Sequence, residues 1–166
     1  MTQQQREILE EIRIRGPETD MQNHMRACEQ YLTPAQLQAV RECIRYLAQN
    51  IPTQLTQLQK LQLIYELVTC NMQYADDYSK NETRYSYISA LLQETSVCMG
   101  FSELFCLFGK ELGIPIRYVV GVGWSDGLHA WNLIQLTQPD GPHWWHLDAC
   151  WELGNRDGPF EFFLRW

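Results

Sequence analysis

The sequence predicts an α+β fold, a helical first half followed by an antiparallel β-meander. Two observations carry this. Apolar residues recur at helical spacing through most of the chain up to Gly113, and three strand-like runs follow at 116–124, 128–138 and 142–148. The joints between those runs, Ser125-Asp126-Gly127 and Pro139-Asp140-Gly141, carry hairpin turn chemistry.

The elements fall in order. Residues 1–15 place Ile8, Leu9 and Ile12 at helical spacing and stop at Gly16-Pro17. Thr33-Pro34 starts the next helix, with Thr as N-cap and Pro at the first helical position. Leu37, Val40, Ile44 and Leu47 share one face of it, and Asn50 and Pro52 end it. A third helix covers roughly 55–73, with Leu58, Leu61, Leu63, Ile64, Leu67 and Val68 expected inward. Residues 75–84 are polar and read as a loop, and 87–92 as a short helix leading to Thr95-Ser96. After Cys98, the spacing of Phe101, Leu104, Phe105 and Phe108 marks a helix closed by Gly113 and Pro115.

With 166 residues, 45% of them hydrophobic and 12% aromatic, the chain is expected to fold as a single domain over 1–166. The formal net charge of −7 comes with only scattered basic residues. That argues against a nucleic-acid or anionic-membrane partner, since both need clustered Lys and Arg. No run approaches the ~18–20 apolar residues that cross a bilayer. Residues 1–15 are rich in Gln and charge and lack an apolar signal core, so a cytoplasmic location is expected. The six cysteines, at 28, 43, 70, 98, 106 and 150, sit mostly in apolar helical patterns. They read as buried thiols in a reducing compartment, not as a disulfide framework.

One cysteine stands apart. A thiol at neutral pH is mostly protonated, and a helix N-terminus beside a histidine is where thiolate forms. Cys98 falls in the first turn of its helix, where Ser96 is expected to cap and Gly100 to leave room for a substrate. The backbone N–H groups of the same turn are suited to holding an oxyanion. A base needs its second nitrogen oriented by a carboxylate. If the last two strands pair around Pro139-Asp140-Gly141, His129 and Asp148 fall almost opposite each other, within about two residues of register. Period-two counting sets Trp131 on the face of His129 and His146 on that of Asp148.

The run Thr95-Ser-Val-Cys-Met-Gly-Phe-Ser-Glu-Leu-Phe, then Leu112-Gly-Ile-Pro-Ile-Arg-Tyr-Val-Val-Gly, resembles the core of the transglutaminase-like superfamily. His129-Ala-Trp-Asn resembles its histidine motif, and Trp145-His-Leu-Asp-Ala-Cys-Trp151 its aspartate motif. The likeness covers roughly 55–163 and is closest to compact bacterial members, including a short aromatic helix over 159–164. It implies a papain-like core over 51–166, with the nucleophile helix packed on the β-meander and 1–50 as a helical N-terminal extension. It also implies a catalytic triad of Cys98, His129 and Asp148, as nucleophile, general base and orienter. The implied reaction is acyl transfer at the amide of a protein or peptide substrate, without a cofactor.

In relatives a second oxyanion donor lies upstream of the cysteine, and here the nearest candidates are Gln73 and Tyr74. Met99 replaces the polar or larger aromatic residue of many relatives, which marks it as a cleft residue. Trp124, Trp131, Trp144, Trp145 and Trp151 read mainly as packing, with Trp131 a candidate for the substrate cleft. His143, His146, Asp148 and Cys150 do not converge as metal ligands on a strand, so no metal is expected.

Overall fold

The computed structural model describes residues 2–75, 85–123, 126–153 and 161–164. Four helices come first: α1 (Gln3–Arg15), α2 (Pro17–Glu29), α3 (Pro34–Gln49) and α4 (Gln57–Asn71). A two-residue strand, β1 (Gln73–Tyr74), is followed by α5 (Tyr87–Gln93) and a second short strand, β2 (Thr95–Ser96). Then come α6 (Cys98–Leu112), β3 (Ile116–Val122), β4 (Leu128–Gln138), β5 (Gly141–Leu147) and the single turn α7 (Ala149–Glu152). The fold is mixed, with helices packed on an antiparallel sheet ordered β3-β4-β5.

Local chemistry accounts for the boundaries. Thr2, Thr33 and Thr56 each accept from the backbone N–H three residues on, and a Gln at that third position closes a capping box every time. Gly113, in the left-handed region at φ 66, ends α6. Sequence pattern gives no element for residues 17–32, yet α2 forms there. Gly16-Pro17 reads as a stop but also starts a helix, because Pro sits at its first position. Cys28 is the one buried residue of α2, so no apolar stripe advertises it.

The core lies between α6 and the sheet. Phe101, Leu104, Phe105 and Phe108 are at most 1% exposed and meet Ile134, Leu136 and Leu147 in one apolar cluster. Each such side chain contributes about 1.5–3 kcal/mol by leaving water. On α4 the buried stripe is Leu61, Ile64, Tyr65 and Val68, joined by Thr69. Leu58, Leu63 and Leu67, expected inward, are exposed instead. The latter two flank a shallow apolar groove with Leu47 and Phe108. The end of the third helix also differs from expectation, since Gln73 and Tyr74 leave it to pair with β2 in parallel.

Of the remaining expectations, residues 76–84 of the polar loop and Trp124 and Ser125 of the first hairpin lie outside the described residues. So do residues 159 and 160 of the expected aromatic helix at 159–164, and its described part, 161–164, is bent chain and not helix.

Candidate active site

Cys98 is the first residue of α6, and Val97 caps it without a side-chain bond. The first N–H groups of that turn therefore have no acceptor within the helix. Ser96, expected as the cap, turns away: its hydroxyl donates to Ser86 O at 3.2 Å and accepts from Ser89 Oγ at 3.1 Å. Gly100 also has a different task from the one expected. A Cβ there would stand 2.1 Å from Ser96 Oγ and 2.5 Å from Ser86 O. The missing side chain admits the α5 entry, not a substrate, and seats the start of α6.

The sheet brings in the histidine. β4 pairs Asn132 with Leu147, so one further step sets Asp148 level with Trp131, two residues from His129. His129 Nε2 lies 2.6 Å from Asp148 Oδ2, with both residues less than a tenth exposed. This leaves Nδ1 as the nitrogen available for other work. Asp148 is itself fixed four ways. Its Oδ1 accepts from Trp151 N at 3.0 Å as the cap of α7, and its N–H donates to Phe162 O at 3.0 Å. Its carbonyl oxygen accepts from Glu152 N at 3.3 Å, with the Tyr65 hydroxyl 3.2 Å away, and its Oδ2 meets the imidazole.

Two indoles hold the ring plane. Trp151 stacks on His129 at 4.5 Å and 4°, and Trp131 lies on it at 5.9 Å and 20°. Trp131 in turn donates its indole N–H to His146 Nδ1 at 3.1 Å. Burial opposes charge on His129, but hydrogen bonds and charge from Asp148 and Cys98 outweigh it and push the pKa up to about 9. Both partners thus favour the imidazolium.

Cys98 and His129 open on one cavity of about 390 Å³. Met99 lines it beside them, and Tyr118, Val120 and Ala130 form its floor on the sheet. Gln73 and Tyr74 are exposed on β1 and do not line this cavity, although β1 runs beside the approach to Cys98. Trp131 reaches the site through His129, not through the cavity wall.

A second Cys–His–carboxylate arrangement, which the sequence pattern does not reveal, borders this cavity through His24. His24 Nδ1 is 2.5 Å from Glu103 Oε1, and Cys28 Sγ is 3.7 Å from His24 Nε2. Hydrogen bonds to Cys28 and Glu103 raise His24 to about 10 against the effect of burial. Burial raises the Glu103 carboxyl as well. Cys28 is only 4% exposed, so this thiol is closed to a substrate, and the group ties α2 to α6. Its signal was hidden because α2 itself was not legible.

The family model for the transglutaminase-like superfamily matches residues 35–149. The chain belongs to that superfamily, whose members are generally cysteine enzymes. Among solved structures it is similar to a TGase, at TM-score 0.57 and 18% identity over 71% of this chain and 33% of that one. It is also similar to a candidate cysteine protease from Cytophaga hutchinsonii, at TM-score 0.54 and 20% identity over 66% of this chain and 37% of the other. The chain therefore spans about a third of the length of both neighbours, and at these identities the likeness is one of fold. None of the curated proteins matches the sequence.

Proposed function

We propose that the chain is a cysteine-dependent acyl-transfer enzyme that opens amide bonds of a protein or peptide through a thioester on Cys98. The observation that carries this reading is the placement of His129: hydrogen-bonded to Asp148 on one side and sharing a cavity with Cys98 on the other. In the first half-reaction the Cys98 sulfur attacks the carbonyl carbon. The oxyanion is met by the Cys98 N–H at the start of α6. The His129 imidazolium gives its proton to the leaving amine, and the thioester remains. In the second half, water yields a proton to His129 and attacks the thioester, releasing the acid and the Cys98 thiolate beside a restored imidazolium. Asp148 holds His129 in the tautomer this needs.

Hydrolysis is placed ahead of crosslinking because it asks for no second protein substrate. A primary amine in place of water gives transamidation, the reading favoured by the similar TGase structure. All six cysteines are free thiols, and the cytoplasmic location expected from the sequence goes with this reading. No helix among the described residues is long and apolar enough to cross a membrane.

The test offers a peptide with a γ-carboxamide, with and without a primary amine, and reads product masses. Free acid marks deamidation, a joined product transamidation, and shorter peptides backbone hydrolysis. Absence of all three, with peptide still bound, leaves a catalytically silent binding module and refutes the enzymatic reading.

A further inference from the structure

The cavity that holds Cys98 and His129 is closed on its far side by residues that precede the family match. Ile8, Ile12 and Arg15 come from α1, and Asp20 and His24 from α2. The wall is anchored, not loosely laid on: the Gln5 side-chain amide donates to Asp126 O at the β3–β4 turn, and α2 packs on β3. Facing these helices across the space are Met99, Val120 and Leu128. Its volume, about 390 Å³, lies in the range that takes a small ligand or a large side chain.

The charges at this wall are already spent. Arg15 Nη2 pairs with Asp20 Oδ1 at 2.9 Å, and His24 pairs with Glu103 at 2.5 Å. Arg15 Nη2 also lies 3.8 Å from Glu11 Oε2, so its charge is shared by two carboxylates, and an incoming charged side chain would lose its water among the aliphatic groups of Ile8, Ile12, Val120 and Leu128. The second oxygen of the Asp20 carboxylate, Oδ2, is buried and so closed to an incoming group.

We propose that α1 and α2 build a specificity subsite for an uncharged, apolar side chain of the substrate next to the attacked amide. This rests on the reading of Cys98 and His129 as the reacting pair. Its test needs no turnover, so the two fail separately.

The full chain carrying Cys98→Ala is titrated, by NMR, with N-acetyl-leucine amide, N-acetyl-lysine amide and N-acetyl-glutamate amide. The leucine compound is expected to bind at least about tenfold tighter than either charged one, the scale set by burying one leucine side chain. Adding Ile12→Asp should erase that preference. No residue of α1 is buried, so this substitution leaves the core intact, and a cooperative melt checks it. Ile8→Asp gives the same reading on a second position. Equal or tighter binding of the lysine or glutamate compound overturns the proposal. So does absence of saturable binding by all three, or a leucine preference that survives both substitutions in folded protein.

Discussion

Tyr65 on α4 donates its hydroxyl hydrogen to Glu152 Oε2 at 2.7 Å and lies 3.2 Å from the carbonyl oxygen of Asp148. Glu152 is 2% exposed and also accepts from the N–H groups of Glu161 and Phe162. The carboxylate that aims His129 is therefore backed by a buried network, not by the sheet alone. Removing the phenol oxygen with Tyr65→Phe strips one donor from a buried carboxylate. The expected loss is about 1–3 kcal/mol of stability. It reads out as a lower denaturant midpoint at unchanged slope; an unchanged midpoint would show that the network does not support α7.

Asp148→Asn keeps the shape and removes the charge that favours the imidazolium. Turnover is expected to fall by about 10⁴, as in the serine-protease counterpart, while substrate affinity changes little. Near-normal kcat would remove Asp148 from its orienting role.

The pH dependence follows from His129. Its folded pKa, about 9, stands above the ordinary value of 6.5, so the native state binds the proton more tightly than the unfolded chain. That contribution is fully present below about pH 6.5 and is lost as pH rises through about 9. His24, raised to about 10, extends the loss to higher pH. Activity limited by proton donation to the leaving amine should fall on an alkaline limb near 9. A limb near the ordinary histidine value would contradict the ion pairing described here.

His24→Ala tests the tie between α2 and α6. It leaves Glu103, fully buried on the helix of Cys98, without its cation. A loss of about 3 kcal/mol is expected, partly restored by adding Glu103→Gln. A melting temperature unmoved by His24→Ala would mean the pair holds nothing.

Gly100→Ala separates two views of that glycine. Its added Cβ would press on Ser86 O and Ser96 Oγ. The variant should lose about 1–3 kcal/mol of stability through overpacking. Intact stability with a raised KM would instead restore the view of Gly100 as space for a substrate.

Much of the site was legible because its residues obey local rules. A cysteine opening an amphipathic helix and a hairpin with a readable turn suffice to bring 98, 129 and 148 under suspicion. The expected register, good to about two residues, covers the offset between His129 and Asp148, but not the turn of the chain into α7 after β5. For the same reason Trp151 was read as packing, not as the ring stacked on His129. The three exposed leucines of α4 show a different limit: helical spacing names a face, but surfaces also carry apolar residues. Of the wall over the cavity, α1 is marked by the spacing of Ile8 and Ile12, whereas α2 buries only Cys28 and leaves little periodicity to read.

The most direct test acid-quenches the protein during turnover of a γ-carboxamide peptide, then measures intact mass and maps any adduct. A mass increase equal to the acyl portion, located on Cys98 and lost in Cys98→Ala together with turnover, is the expected result. Turnover that persists in Cys98→Ala, or an adduct confined to another cysteine, would contradict the assignment of Cys98 as nucleophile.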